Sequence, residues 1–395
     1  MGNSAAQHNL VVRVRDSLEE VSLDQWNTCV QVDEPFQEFE FLRALESSGS
    51  VGEGTGWLTS YVTLERDGEL VGALPLYIKL DSYGEYIFDW AWADAYRRAN
   101  VAYYPKAVTA VPFTPVTGRR ILVAPSMPYE PAADLLVNAA LELAKKAQLS
   151  GVHFLFSTEE EMQLLARRGF LPRLTYQFHW MNRGYESFAD FAGELRSSKR
   201  KNILKERRRV AEANVEVQVV EGDDITTEHL RMLWRFYMDT TGRKWGYAYL
   251  TEEFFERLSV DYRNRLVLVL ASRDGEVVAG TLNVRKGTNL YGRYWGCSAE
   301  VPGLHFECCY YRLIDYAIEN GIEVFEAGAQ GEHKFLRGFV TRPTYSAHWL
   351  AHEGGREAIS RFLGEERGHT LETIEHYNGL SPLKYLRSGS DPAIP

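Results

Sequence analysis

From Glu326 to Lys334 the chain reads EAGAQGEHK, which puts two carboxylates, an amide, an imidazole and an amine into nine positions, spaced by Gly328 and Gly331. Glu326 and His333 can exchange protons, Lys334 can face a developing negative charge, and Gln330 can both donate and accept. Gly328 and Gly331 let backbone N–H groups come close to a ligand. Such a segment suits acid–base and electrostatic work on a bound substrate. The alternative reading is a glycine-rich turn with solvated charges.

Three other places carry residue types that suit a ligand. On the preceding strand, alternation sends Arg293 and Trp295 to one face and Tyr294 to the other, for cleft lining or for packing. Arg243, Lys244 and Trp245 form a basic-aromatic loop that suits a phosphorylated substrate, or is simply surface. Asp89 and Trp92, with Trp90, Asp94, Tyr103 and Tyr104, either line a substrate groove or cap the core. Cys308 and Cys309 open a helix beside His305. Adjacent helical side chains point about 100° apart, and the Cys-Cys-Tyr-Tyr run suits packing better than a nucleophile.

A fourth place is electrostatic. Between Glu194 and Ala213 stand Arg196, Lys199, Arg200, Lys201, Lys205, Arg207, Arg208 and Arg209, in a run of helical propensity on a chain of net charge −10. Lys199, Arg200, Lys201, Lys205 and Arg208 are candidates for phosphate contacts, to tRNA or to a nucleotide-linked substrate. A solvated or domain-paired helix is the competing reading.

The elements that must position these residues emerge from a repeat. RDGELVGALPLYIK, Arg66 to Lys79, matches RDGEVVAGTLNVRK, Arg273 to Lys286, and both predict an Asp-Gly hairpin entering a half-buried strand. Gly151 to Trp180 matches Gly321 to Trp349, sharing the Gly start, an Arg-Gly-Phe turn and a closing Thr-Tyr-x-x-His-Trp. Amphipathic helices precede each, Ala132 to Gln148 and Phe306 to Asn320. Residues common to both copies, such as His179 with His348 and Arg168 with Arg337, point to the shared fold. The polar Glu326 to Lys334 segment belongs to the second copy alone, so chemistry is expected there.

The whole is then an α/β protein with mixed sheets, built as a duplication. We divide it into an N-terminal domain 1–193 with an aromatic insertion at 83–120, a basic helical segment 194–213, a C-terminal domain 214–352, and a final helix and tail 353–395, the helix spanning about Arg356 to Tyr377. At 45% hydrophobic and 25% charged, the composition excludes long disordered arms, and the acidic balance excludes a generally basic nucleic-acid-coating protein. The four cysteines, Cys29, Cys297, Cys308 and Cys309, make no C-x-x-C pair, so neither a disulfide framework nor a metal site is expected. No transmembrane run or signal peptide is read, and a cytoplasmic location is expected.

The strings Phe88-Asp89-Trp90-Ala91-Trp92-Ala93-Asp94, Tyr104-Pro105-Lys106, Val111-Pro112-Phe113-Thr114-Pro115-Val116-Thr117-Gly118, Arg200-Lys201-Asn202-Ile203, Tyr294-Trp295-Gly296, and Glu326 to Lys334 followed by Arg337-Gly338-Phe339 carry a resemblance to the FemAB-like predicted N-acyltransferases, from about Asp33 to the end. The resemblance implies two tandem GNAT-like acyltransferase domains with the basic helix between them. It also implies transfer of an acyl or aminoacyl group to an amine, from aminoacyl-tRNA onto a peptidoglycan precursor in FemAB-type enzymes and from coenzyme A in most single GNAT domains. For such chemistry His333 or Glu326 would be the base and Lys334 the electrostatic group, with Gln330, Gly328, Gly331, Arg293, Trp295, Arg243, Lys244, Trp245, Asp89 and Trp92 binding substrate.

Coenzyme A enzymes of this type cradle pyrophosphate in a glycine-spaced loop at a helix N-terminus. The corresponding loop here, Ser298 to Glu307, has one glycine, Gly303, and two acids, while the loop of the first copy, Val116 to Glu130, offers Arg119 and Arg120 with the wrong glycine spacing. The resemblance, together with the missing loop, makes aminoacyl-tRNA the favoured donor, as a co-substrate with no tightly bound cofactor, and the acceptor a small-molecule or peptidyl amine. Donation from acyl-CoA or an acyl carrier, and a non-catalytic binding module, are the alternatives.

Overall fold

Both Asp-Gly turns form as the sequence requires. Asp67 and Gly68 have φ of 55° and 88°, and Asp274 and Gly275 have 55° and 84°, the paired left-handed positions of a tight hairpin. The first joins strands Tyr61–Arg66 and Glu69–Leu74, the second Leu266–Arg273 and Glu276–Lys286. In the second copy the outgoing strand runs unbroken for 11 residues. In the first, Pro75 divides it into Glu69–Leu74 and Tyr77–Lys79, because proline cannot donate to a ladder. The computed structural model describes residues 9–244, 248–328 and 331–387.

The chain forms two compact units, 1–173 with 345–365 and 174–344 with 366–395. In the first unit, strand Gly151–Ser157 is flanked by Lys106–Thr109, parallel, and by residues 345–350, antiparallel. Lys106–Thr109 pairs in turn with Tyr77–Lys79, and that strand with Trp57–Thr59. A separate antiparallel sheet runs in the order Leu10–Arg15, Tyr61–Arg66, Glu69–Leu74, Leu122–Val123. Helix Tyr129–Lys146 buries Ala132, Ala133, Leu136, Val137, Ala140 and Ala144 at helical spacing.

In the second unit, Val215–Glu221, Leu266–Arg273, Glu276–Lys286 and Asn289–Cys297 pair antiparallel in chain order. Val324–Glu326 then lies parallel to Asn289–Cys297 and antiparallel to residues 179–181. Gly280 and Gly296 let helix Thr227–Lys244 approach this sheet: a Cβ on Gly296 would run into the Phe236 backbone.

The closing strands have changed places. Leu171–Met181, from the first copy, pairs in the second unit through Trp180 opposite Phe325 and His179 opposite Glu326. Val340–Leu350, from the second copy, pairs in the first unit through His348 opposite His153 and Ala347 opposite Phe154. The domain limits drawn at 193 and 214 in the sequence therefore differ from the units of the fold, since each repeat ends in the unit of the other. The basic helix, Ser197–Glu212, read as a segment between domains, is part of the second unit, where Ile203 and Val210 are buried in its core. The last long helix is Glu353–Leu380, longer than expected at both ends.

Candidate functional site

In the second unit the parallel strands Asn289–Cys297 and Val324–Glu326 pair only from Asn289 opposite Val324 to Tyr291 opposite Glu326. Beyond that point the longer strand continues, and the shorter one ends and turns at Gly328, whose φ is 81°. A bulge at Arg293 lies where they part, since Asn283 faces Gly292 and Leu282 faces Tyr294. Past the bulge the faces divide as alternation predicts. Tyr294 packs on Tyr237 and Phe255, whereas Trp295 meets the His305 ring at 5.3 Å.

Lys334 sits on the short helical turn Glu332–Arg337, only 2% exposed, and its Nζ donates to the Gly328 carbonyl at 2.7 Å. Burial brings its pKa down to about 7; the positive charge of Arg293 adds to the fall and Cys309 opposes it. Lys334 therefore has a substantial neutral fraction at ordinary pH, which adds proton acceptance to the electrostatic role expected from its type. Gly331, with φ of 106°, makes room within the protein: a Cβ there would collide with the His333 ring.

His333 Nε2 lies 2.8 Å from the Tyr310 hydroxyl, and its ring is 5.9 Å from that of His305 and 5.7 Å from Phe306. Burial raises the Tyr310 pKa, so its hydroxyl stays protonated. His305 and Trp295 line a cavity of about 570 Å³ with Thr240, Cys297, Glu300 and Pro302. An unbroken line of ring contacts thus leads from the cavity through Trp295 and His305 to His333, beside Lys334. The helix after the cavity loop opens on Gly303 and passes through a π-helical turn, Glu307–Tyr311, a distortion frequent at functional sites. Cys308 lies buried in that turn with its thiol pKa raised by burial, which suits core rather than nucleophile.

Glu326 is 8% exposed at the end of its strand, opposite His179. Burial, with the charges of Arg342 and Lys334, holds His179 neutral with a pKa of about 3. His179, assigned from the repeat to the shared fold, is thus also a neighbour of this site. Tyr310 was not singled out by the sequence, because nothing marks a tyrosine 23 residues before a histidine as its partner. Gln330 and Trp245 lie outside the described residues; Arg243 and Lys244 end helix Thr227–Lys244.

Asp89 and Trp92 are placed elsewhere, in the core of the first unit. Asp89 accepts from Tyr103 at 2.6 Å and pairs with Lys106, whose Nζ also meets Glu85 at 2.9 Å. Trp92 packs with Tyr96, Tyr103, Leu350, Ile359 and Leu363, edge-on to His348 at 4.9 Å. They cap the core instead of lining a groove. Of the basic residues, Lys201, Lys205 and Arg208 are exposed on the helix Ser197–Glu212, while Lys199 and Arg200 are half-buried. Among the described residues no group of three or more His, Cys, Asp or Glu could hold a metal, and no helix is long and apolar enough to cross a membrane.

A model of the FemAB-like family, described as peptidoglycan biosynthesis/recognition, matches residues 17–385. No curated protein matches. Among solved structures the chain is similar to the C-terminal DUF2156 domain of a putative lysylphosphatidylglycerol synthetase from Agrobacterium fabrum, at 11% identity and a TM-score of 0.52, covering 85% of this chain and 95% of that one. It is also similar to FemX, at 14% identity and a TM-score of 0.50, covering 88% and 100%. The likeness to L-PGS from Bacillus licheniformis is at 13% identity and a TM-score of 0.49, covering 81% and 95%. The first two likenesses speak to the fold, a mixed α/β arrangement.

Proposed function

The chain belongs to the FemAB-like family and is a transferase; on that premise we propose that it moves an aminoacyl group from an aminoacyl-tRNA to an amine, with the Lys334 turn of the second unit as its chemical centre. The family description, peptidoglycan biosynthesis/recognition, supports a cell-wall precursor as the source of the amine. A tRNA donor implies that the reaction runs in the cytoplasm.

In this reading the neutral Lys334 amine accepts the proton as the acceptor nitrogen attacks the ester carbonyl. The tetrahedral intermediate collapses with loss of the tRNA 3′ oxygen, which takes the proton back from Lys334, so the group returns to its starting state. Tyr310 and His333, joined at 2.8 Å, can present a hydrogen bond to the oxyanion, and the Trp295–His305 cavity holds the transferred group. Glu326 bears on the site through its place at the strand end opposite His179, two residues before the Gly328 carbonyl that Lys334 contacts.

One observation carries the choice of donor. The loop lining the cavity brings Glu300 and Pro302 to the start of the following helix, a carboxylate that repels pyrophosphate and a residue with no N–H to offer it. An ester-borne aminoacyl group makes no such demand. The test is transfer of radiolabelled amino acids from bulk charged tRNA, and of labelled acetyl from acetyl-CoA, to UDP-linked muropeptides and a panel of small amines. Transfer from tRNA alone is expected; transfer from acetyl-CoA alone would overturn the reading.

A further inference from the structure

The basic helix Ser197–Glu212 has two faces with different occupations. Lys201, Leu204, Lys205, Arg208, Arg209 and Glu212 line a groove of about 460 Å³, and the four cations in it are exposed. From Lys201 to Arg208 the helix advances about 10 Å at 1.5 Å per residue. That length spans about three charges of one strand of a duplex, which carries one per roughly 3.4 Å of axis. Leu204, 45% exposed among these cations, offers an apolar contact between them.

The inner face is ion-paired. Arg207 donates to Glu307 at 3.0 and 3.2 Å and to Asp315 at 2.6 Å, which ties the helix to the π-helical turn. Glu206 accepts from Arg337 at 2.9 and 3.0 Å and also from the Tyr311 hydroxyl. Arg337 in turn donates to the His333 carbonyl at 2.9 Å and covers the Phe306 ring at 3.4 Å. The turn that carries His333 and Lys334 is therefore braced directly from the basic helix.

The duplication supplies a control. The equivalent arginine of the first copy, Arg168, makes the same bond to a carbonyl four residues back, that of Leu164 at 2.9 Å. Its acid, however, is Asp134, on helix Tyr129–Lys146 of its own repeat. The arginine brace is common to both copies. Only in the second, which carries the polar segment, does its carboxylate come from the basic helix.

We propose that the outer face of the basic helix is a docking surface for an RNA sugar-phosphate backbone, and that the Glu206–Arg337 pair positions the Lys334 turn when that surface is occupied. This rests on the reading of the donor as RNA-borne. It makes Glu206 a positioning residue, since it acts through Arg337 and touches no reacting atom. Four exposed cations along one helix match a chain of phosphates better than the single diphosphate of a nucleotide-linked acceptor.

The test uses the full chain and bulk tRNA, with hydrogen exchange and titrations at several salt concentrations. Bulk tRNA should protect both 200–212 and 332–338 in the wild type. The triple variant K201A/K205A/R208A should bind about ten-fold more weakly at low salt, with the slope of log affinity against log salt reduced by about two to three. Glu206→Gln should bind tRNA within two-fold of wild type yet lose the added protection of 332–338, and Arg337→Lys should restore part of what Arg337→Gln loses. In turnover, the triple variant should raise KM for charged tRNA, and Glu206→Gln should lower kcat.

Equal tRNA affinity and slope in wild type and triple variant would overturn the docking surface, as would protection of 200–212 by a UDP-linked muropeptide and not by tRNA. Protection of 332–338 that survives Glu206→Gln would overturn the coupling. Transfer from charged tRNA indifferent to both variants would remove this inference and leave the donor reading standing. Coupled protection without any transfer would do the reverse.

Discussion

The Nδ1 atoms of His153 and His348 lie 2.9 Å apart inside the first unit, each ring nearly inaccessible, so one imidazole donates and the other accepts. His348 comes from the closing strand of the second repeat and His153 from the buried strand of the first. This hydrogen bond exists because the closing strands are exchanged.

The pair makes stability fall in mild acid. Burial holds both rings neutral, with His153 near a pKa of 3 and His348 well below its ordinary value. Below about pH 6.5 the unfolded chain takes up protons that the folded chain refuses, so stability present above that pH is lost as pH falls toward 3. His348→Leu should leave His153 Nδ1 unpaired and destabilise by about 1–3 kcal/mol at pH 7. It should also flatten the decline between pH 6.5 and 4. Urea unfolding at four pH values measures both, and an unchanged slope would refute the pairing.

Lys334 predicts a dependence of the same sign for activity, centred nearer neutrality. With a folded pKa of about 7, the neutral amine accumulates as pH rises, so kcat should climb through that value. Lys334→Ala should lower kcat by about two to three orders of magnitude with circular dichroism unchanged. Stability should also show the residue: between pH 7 and 10.5 the unfolded lysine still holds a proton that the folded one has lost. Wild type should therefore gain stability over that window relative to Lys334→Met. A pH-independent kcat between 6 and 8 would exclude Lys334 as the proton acceptor.

Lys106 stabilises the first unit by neutralising two buried acids. Its Nζ meets Glu85 at 2.9 Å and Asp89, and burial already pushes Glu85 up to about 7. Lys106→Met would remove the ammonium that both carboxyls contact, leaving the charge of Lys79 to act on Glu85, and destabilise by about 3–5 kcal/mol. The charge-free triple K106M/E85L/D89L should recover much of the loss. Both effects are read from denaturant midpoints.

Gly296 tests the approach of helix Thr227–Lys244 to the strand that carries Arg293 and Trp295. A methyl at this position meets the Phe236 backbone, so Gly296→Ala should destabilise by about 1–3 kcal/mol. Gly193→Ala, with open space around its Cβ, should change stability by under about 0.5 kcal/mol. Equal thermal shifts for the two variants would contradict the close approach.

The amino-acid sequence by itself determined the duplication, the two hairpins and the helices, because Asp-Gly turns and helical apolar spacing are local signals. It also determined that the polar Glu326 to Lys334 segment occurs once, at the end of a buried strand. Tertiary structure alone decided which closing strand pairs where: Thr-Tyr-x-x-His-Trp occurs in both copies, so the pattern cannot choose a partner, and packing chose exchange. It likewise decided that Asp89 and Trp92 belong to a core and that Lys334 is buried enough to lose its proton near neutrality. The basic run looked like a separate segment because its charges dominate the pattern. Ile203 and Val210 bury its inner face, and Glu206 finds Arg337 131 residues away, across a distance that no local spacing encodes.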